Sequence, residues 1–261
     1  MTIFLHELKR NKLSLILWSA IVSFMLGICI LIYPDMSSQM GQISDMFANM
    51  GSFTDAFGMD QVNFGEFSGY FAIECGNVLG MGGAFFAAIL GISALSKEER
   101  DKTGEFLLTH PISRYQIISE KLFSVITQIT LLNLIVLIVS ILCILIIGEA
   151  ASYKTLLLLF LSYYLLQLEI ACITFGISAF LRGSSLGIGL ALATGFYFLN
   201  IISNLTEKVE FLKFITPFAY ADGAQITSTQ SLAVKYFIPG CIYAIIGVAA
   251  AYYQYPKKDI T

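Results

Sequence analysis

Glu169 is the residue whose position most suggests chemistry, because it is a carboxylate at the centre of an apolar run. It is the fifteenth of the 27 residues in the run Thr155–Leu181, and Ser162, Cys172 and Gly176 share its helix face. A charged group inside a membrane span is costly and is usually functional or paired. Two roles are open. Glu169 is either a proton site or substrate contact on a pathway, or a hydrogen-bonded packing residue.

Two other polar residues fall in similar apolar surroundings. Gln167 lies on a second, nearly opposite face of the Thr155–Leu181 run, so we expect protein to bury this helix on both sides. Glu74 lies about one and a half turns into the run Gly69–Leu95, within reach of the outer interface. Together with Glu169, these residues are our candidates for a polar pathway across the membrane.

The common catalytic and nucleotide-binding motifs are absent from the sequence. It contains no GxxxxGK[ST], no HExxH and no GxSxG, so a P-loop, a zinc peptidase and a serine hydrolase are not predicted. The two histidines, His6 and His110, are far apart in sequence. The five cysteines lie in apolar runs without a CxxC pair, so we expect packing residues, not a metal site or a disulfide. We predict that the chain is not an enzyme and binds no metal.

The composition predicts a membrane protein with lipid as its main solvent. The chain is 57% hydrophobic and only 13% charged, with a net charge of -3 and no dominant basic patch, so nucleic acid is not an expected partner. A spanning helix needs about 20 apolar residues. Six runs qualify: Leu13–Tyr33, Gly69–Leu95, Leu122–Gly148, Thr155–Leu181, Ser184–Ser203 and Tyr236–Tyr255.

The placement of Lys and Arg predicts the orientation of these spans. The flanks that include both termini and residues 96–121 carry eleven of these residues, and the opposite flanks carry four. Both termini and residues 96–121 should therefore face the cytoplasm. The first run is too long for a signal peptide and has no small-residue cleavage site, so we interpret it as a retained helix.

Three further segments complete the predicted single transmembrane domain, residues 1–261. Residues 1–12 are predicted to form a short amphipathic helix on the inner membrane surface, with a frayed basic terminus as the alternative. Residues 34–68 are predicted to form an acidic outer loop, since they contain no Lys or Arg. Residues 204–235, called the outer segment below, are too broken to span, so we predict short helices that dip into the outer leaflet and break at Pro217.

Ten of the 33 charged residues fall between Lys97 and Lys121, in the segment that we call the elbow, residues 96–121. Thr103 can cap a short helix that carries Glu105 in its first turn. Pro111 ends that helix, and Ser113 with Gln116 forms an S-x-x-Q capping box for the next one. Local physics allows two interpretations. The elbow either lies on the membrane surface or is a docking surface for a cytoplasmic protein.

The elbow also resembles a known family. Permease subunits of type 2 ABC exporters carry an acidic stretch, then Gly-Thr-x-Glu-x-Leu-Leu, then Pro-x-Ser-Arg between their second and third spans. The chain departs from this pattern by the order Thr103-Gly104. Six spans, a basic amphipathic start, the outer segment and the tail "YYQYPKKDI" are similar to the family as well. The matching residues of the elbow are Glu98, Glu99, Asp101, Thr103, Gly104, Glu105, Phe106, Leu107, Leu108, Pro111, Ile112, Ser113, Arg114 and Lys121.

The resemblance implies a function and a set of partners. It implies an all-α permease with six transmembrane helices in the plasma membrane, working as an exporter with a second permease that is identical or a sister chain. The elbow would be a coupling helix seated in a separate ABC ATPase subunit, and ATP and Mg²⁺ would be bound there and not by this chain. The predicted coupling residues are Glu98, Glu99, Thr103, Gly104, Glu105, Phe106, Leu107, Leu108, Pro111, Ser113 and Arg114.

Two other functions remain open at this point. A proton-coupled secondary transporter would use Glu169, although the two halves show no evident repeat of broken helices. A non-transporting membrane anchor or sensor would recruit an ATPase through the elbow. The substrate is not determined by the sequence; an amphipathic peptide, a drug or a lipid fits the resemblance.

Overall fold

The computed structural model describes residues 2–48, 66–97, 112–149, 152–183, 186–205 and 207–258. The described residues contain six helices long and apolar enough to cross a membrane, which confirms the prediction of an all-α, six-span protein. These helices are α1 (Thr2–Ala48), α2 (Phe67–Ala94), α3 (Arg114–Ile147), α4 (Tyr153–Ser178), α5 (Leu186–Leu205) and α7 (Val234–Gln254), with the short α6 (Gly223–Thr229) before α7.

The first helix is longer than the sequence indicated. The predicted interfacial helix, residues 1–12, is the first part of α1 and not a separate element; its location at a membrane surface stays a prediction. At the other end α1 continues through Pro34 to Ala48, where we had expected an outer loop from residue 34 onward. Proline removes one backbone hydrogen bond and tends to kink a helix, but a continuous helix can accommodate it when both flanks keep their own bonds.

The second helix contains a turn of π-helix at Gly76–Met81. Its two glycines meet the side chain of Tyr163 on α4: a Cβ at Gly76 would lie 2.9 Å from the Tyr163 hydroxyl, and one at Gly80 would lie 3.0 Å from its ring. The Gly76–Gly80 pair, spaced as in a GxxxG pattern, thus serves a close contact between two helices of one subunit. The π-helical turn itself was not predicted.

The fourth helix lies at the centre of the fold. It packs against α2 on one side and α7 on the other, while α1 packs against α3 and α5 packs against α2. Protein therefore covers both polar faces of α4, as we expected from their distribution. Glu169 is 4% exposed and Gln167 is fully buried.

The outer segment forms short helices, as predicted. Two 3₁₀ helices, Glu207–Phe214 and Pro217–Tyr220, precede α6. The helical structure is interrupted between them at residues 215–216, directly before Pro217. Thr216 caps the second of them, since its hydroxyl accepts from the Phe218 amide. Pro217–Tyr220 is buried among the spanning helices, so the segment inserts into the helix bundle.

Candidate functional site

Most of the predicted coupling residues lie outside the described residues. The structure describes Ser113, Arg114 and both ends of the elbow, Lys97 on one side and residues 112–121 on the other. The coupling residues outside the described part are Glu98, Glu99, Thr103, Gly104, Glu105, Phe106, Leu107, Leu108 and Pro111. Their contact with an ATPase stays a prediction.

Ser113 caps α3 where the elbow ends. Its hydroxyl accepts a hydrogen bond from the Gln116 amide at 3.2 Å, which is the first half of the predicted capping box. The second half is not formed. The Gln116 side chain donates to the Glu120 carboxylate at 2.9 Å instead of turning back to the Ser113 backbone. Of the two hydrogen bonds of the capping box, α3 therefore has only the one that Ser113 accepts.

A buried carboxylate on α1 joins the two ends of the elbow. The Glu7 Oε2 atom lies 2.5 Å from the Lys97 ammonium, and its Oε1 atom lies 3.8 Å from the Lys121 ammonium. Lys121 also donates to the Ala94 carbonyl at 2.6 Å, close to the end of α2. Glu7 and Lys97 are each 5% exposed and Lys121 is 1% exposed. The three charges are therefore removed from water and depend on one another.

The electrostatics of Lys97 reflect this burial. Desolvation lowers the pKa of Lys97, and the adjacent Glu7 carboxylate opposes that effect by favouring the charged form. Lys121 and Arg10 add to the lowering, because they place further positive charge nearby. The ammonium of Lys97 consequently relies on Glu7 for its stability in this position.

The start of α1 is fixed to α3 by a second carboxylate. The Glu120 Oε2 atom accepts hydrogen bonds from the backbone amides of Ile3 at 3.0 Å and Phe4 at 3.1 Å. Amides in the first turn of a helix have no intrahelical partner, so a carboxylate placed there stabilises the helix end. Glu7 and Glu120 together hold α1 against both ends of the elbow.

Arg114 contacts the carboxyl-terminal tail of the same chain. Its Nη1 atom donates to the carbonyls of Pro256 at 3.0 Å and Lys258 at 2.7 Å, with a longer contact of 3.4 Å to the carbonyl of Tyr255. Lys258 in turn donates to the Leu181 carbonyl at 2.6 Å, just after α4. These contacts bring the tail, the end of α4 and the start of α3 together. The predicted role of Arg114 as an ATPase contact stays a prediction beside this intramolecular one.

Glu169 contacts the outer segment and α7. The Tyr220 hydroxyl donates to its Oε2 atom at 3.0 Å, and a Cβ at Gly240 would lie 2.5 Å from its carboxyl carbon. Its Oε1 atom is buried and has no hydrogen-bond partner among the described residues. Glu169 lies sixteen residues after Tyr153, or about 24 Å along α4 at 1.5 Å per residue, so the outer segment reaches deep between the helices.

Gln167 joins three helices on the other side of α4. Its Oε1 atom accepts from the Asn133 amide of α3 at 2.6 Å, and its Nε2 atom donates to the Leu79 carbonyl in the π-helical turn of α2 at 3.2 Å. A carbonyl in such a turn lies outside the regular helical pattern. Gln167 is thus a satisfied, buried cross-link.

Glu74 is half-buried and faces α1. The Cys29 thiol lies 3.6 Å from its Oε2 atom, and the Tyr70 hydroxyl donates to the Cys29 carbonyl at 3.1 Å. The three candidate pathway residues therefore have separate partners: Glu169 on α7 and the outer segment, Gln167 on α2 and α3, and Glu74 on α1. The structure does not join them into one cluster.

The five cysteines are free, and the described residues hold no cluster of His, Cys, Asp and Glu suited to a metal. Cys75 and Cys143 are buried, while Cys29, Cys172 and Cys241 are half-buried. None of the five forms a disulfide.

The contacts of Glu7, Lys97 and Lys121 and those of Arg114 with the tail were not predicted from the sequence. The available signal was spacing, since Ile3 and Glu7 lie one turn apart. In the structure both are buried. A carboxylate on the buried face of an amphipathic start predicts a partner, but the sequence does not say which of the many Lys and Arg residues supplies it.

The helices define a multi-pass membrane protein whose termini and elbow ends meet at one end of the bundle. The sequence matches the family described as ABC-2 family transporter protein over residues 1–260, and the chain belongs to this family of transporter permeases. It is accordingly the membrane component of a transporter, and the family in general works with an ABC ATPase. No curated protein matches the chain.

Proposed function

We propose that the chain is the permease subunit of an ATP-driven exporter and that its elbow docks on a separate ATPase subunit. The observation that supports this most directly is the contact of one carboxylate, Glu7, with both Lys97 and Lys121. A docking element between two spans must be rigidly connected to them if a force on the element is to move the helices. Two buried ammonium groups that contact one carboxylate provide such a connection.

The contacts at the elbow suggest how movement would be transmitted. Displacement of the elbow would move the end of α2 through Lys97 and the start of α3 through Lys121. Glu7 would carry the same movement into α1, and Arg114 would carry it to the tail and, through Lys258, to the end of α4. Closure of two ATPase subunits, which bind ATP and Mg²⁺, would in this way tilt four helices of each permease together.

The apolar residues of the elbow would supply the binding energy. Phe106, Leu107 and Leu108 would enter a cleft of the ATPase, because buried aromatic and apolar anchors dominate interface energies. Glu98, Glu99 and Glu105 would make polar contacts at the rim. A second permease, identical or a sister chain, would complete the translocation pathway, and both termini would face the cytoplasm of a cell with this protein in its plasma membrane.

For the intramembrane candidates, the contacts favour positioning over proton transfer. Gln167 is satisfied by two helices, and Glu169 is held by Tyr220 against Gly240. We propose that Glu169 and Gln167 keep α4 in register with its neighbours and that Glu74 lies nearer the outer mouth of the pathway. A gradient-driven carrier would need Glu169 to exchange its proton with water, and its 4% exposure gives little access for that.

Copurification tests the proposal. The tagged chain is extracted in mild detergent from its native membrane, and bound proteins are identified by mass spectrometry. We expect a stoichiometric partner that carries a GxxxxGK[ST] motif, recovered in reduced amount with Phe106→Ala and in full with Phe123→Ala, a matched control on the exposed face of α3. A well-expressed chain that purifies without an ATPase would overturn the proposal.

A further inference from the structure

A cavity of about 210 Å³ lies between α2, α4, α5 and the outer segment. It opens beside the π-helical turn, where Asn77 is exposed. Irregular turns of this kind are frequent at functional sites. The polar residues that line it are Asn77, Tyr163, Tyr197, Asn200, Asn204 and Asp222.

The bottom of the cavity carries a buried hydroxyl. Tyr163 is 2% exposed, and its hydroxyl makes no hydrogen bond with the described residues, although it borders the cavity. Gly76 and Gly223 leave room around it, since a Cβ at either position would lie within 3.2 Å of that hydroxyl. A buried hydroxyl that faces a cavity and has no protein partner is available to a ligand or to water.

Three amide side chains at the rim of the cavity are likewise available for hydrogen bonds to a ligand or to water. Asn77 on α2 and Asn200 and Asn204 on α5 form no side-chain hydrogen bond with the described residues, and Asn200 and Asn204 are one helical turn apart. Each amide offers donors and an acceptor. Together with Tyr163 they surround the cavity with hydrogen-bonding groups from three spanning helices.

The charged side chain in this lining is a carboxylate. Asp222 is the carboxylate of this cavity, and the lining contains no Lys or Arg among the described residues. Its Oδ1 atom accepts from the amides of Ala224 at 2.9 Å and Gln225 at 3.1 Å, which fixes the side chain at the start of α6. A lining whose charged group is a carboxylate disfavours phosphate and carboxylate ligands and favours a cation.

The apolar part of the lining can contact a hydrocarbon chain attached to such a cation. Ile73 and Ile201 provide apolar surface, and the rings of Tyr197 and Phe218, packed edge to face with centroids 5.4 Å apart, lie in the same wall. Aromatic rings also attract ammonium groups through their π faces. The wall thus combines a carboxylate, hydroxyls, amides and apolar contacts within one small volume.

We propose that this cavity binds the ammonium head group of an amphiphile from the outer half of the membrane, with Asp222 as its counter-charge. The assignment of that amphiphile as a substrate rests on the proposed function, whereas its binding does not. Asn77, Asn200 and Asn204 hydrogen-bond the head group, and Tyr163 contacts it from below. The first carbons of the tail lie against Ile73 and Ile201.

Photolabelling tests the proposal without ATP. The full-length chain, with whatever copurifies, is placed in phosphatidylglycerol nanodiscs and exposed to dodecylamine that carries a diazirine next to its head group. Dodecanol with the same diazirine is the uncharged comparison, and labelled peptides are mapped by mass spectrometry. We expect the amine to label the cavity peptides about tenfold more than the alcohol, the scale of one charge-assisted hydrogen bond.

Asp222→Asn is the decisive variant, because asparagine is as good a helix cap as aspartate and removes only the charge. We expect it to reduce labelling by the amine to the level of the alcohol, and Asn77→Ala to reduce it in part. Glu149→Gln, at an exposed carboxylate outside this cavity, should leave labelling unchanged. Equal labelling by both probes, or amine labelling that persists in Asp222→Asn, would overturn the proposal. A chain that binds the amine but recruits no ATPase would contradict the proposed function alone.

Discussion

The Lys97 ammonium lies 2.5 Å from the Glu7 carboxylate, although the two residues are 90 positions apart in sequence. Glu7 belongs to the first turns of α1, and Lys97 follows the end of α2, where the elbow begins. The same carboxylate reaches Lys121 at the other end of the elbow. This arrangement makes the start of the chain a structural part of the elbow, and it yields the first prediction.

Glu7→Gln should destabilise the protein, because it removes the carboxylate that contacts the buried ammonium groups of Lys97 and Lys121. Removing one partner of a buried ion pair typically costs about 3–5 kcal/mol. We expect a clear fall in the midpoint of thermal denaturation in detergent. Adding Lys97→Met to Glu7→Gln should recover part of the loss, since the buried ammonium that lies closest to Glu7 is then gone. A Glu7→Gln variant as stable as the matched surface variant Glu149→Gln would contradict the ion-pair account.

Arg114→Lys should release the carboxyl-terminal tail. A lysine keeps the charge but not the planar guanidinium that reaches the carbonyls of Pro256 and Lys258 together. We expect about 1–2 kcal/mol less protection of the tail and therefore roughly tenfold faster proteolysis there. Limited digestion of a chain with a carboxyl-terminal tag measures this rate. Arg182→Lys, at an exposed arginine, is the control, and equal rates for both variants would count against the tail contact.

Tyr220→Phe should loosen the outer segment, because the Glu169 carboxyl loses its hydrogen-bond donor among the described residues. Leaving a buried polar group unsatisfied costs about 1–3 kcal/mol. Hydrogen exchange of α6 and Pro217–Tyr220 should become faster, while Tyr243→Phe on α7 should change little. Unchanged exchange in Tyr220→Phe would show that this hydrogen bond does not hold the segment.

Glu169→Gln separates the positioning role from the proton role. Glutamine keeps an oxygen that accepts from Tyr220 but does not transfer a proton. The positioning account predicts that transport in reconstituted vesicles is retained, within about twofold. A gradient-driven carrier predicts that transport is abolished, and that outcome would revive the alternative left open by the sequence. Transport is measured with the dodecylammonium probe, both with ATP and with an imposed proton gradient.

The sequence predicted the spans well, because helix number and approximate position follow from apolar length alone. It also predicted Ser113 as a helix cap and the two polar faces of α4, since both depend on local spacing. The extension of α1 through Pro34 was not predicted, as proline is a frequent boundary and the polar residues beyond it suggest a loop. The π-helical turn was missed because Gly76 and Gly80 are also compatible with a regular helix.

The partners of the polar residues could not be predicted, because they depend on which helices become neighbours. Glu7 and Lys97 illustrate this, and so do Arg114 and the tail. Gln167 was placed correctly on a buried face, but its bonds to Asn133 and Leu79 require the packing of three helices. The cavity around Tyr163 has the same origin, since its lining comes from four separate parts of the chain.

The most direct test of the central claim is the number of substrate molecules transported per ATP hydrolysed by the reconstituted permease–ATPase complex. We compare the unaltered chain with Phe106→Ala in the elbow and with Phe123→Ala on α3. The account predicts that Phe106→Ala inserts normally in the membrane but loses transport relative to hydrolysis, whereas Phe123→Ala keeps the original ratio. An unchanged ratio in Phe106→Ala would contradict the account of the elbow as the coupling element.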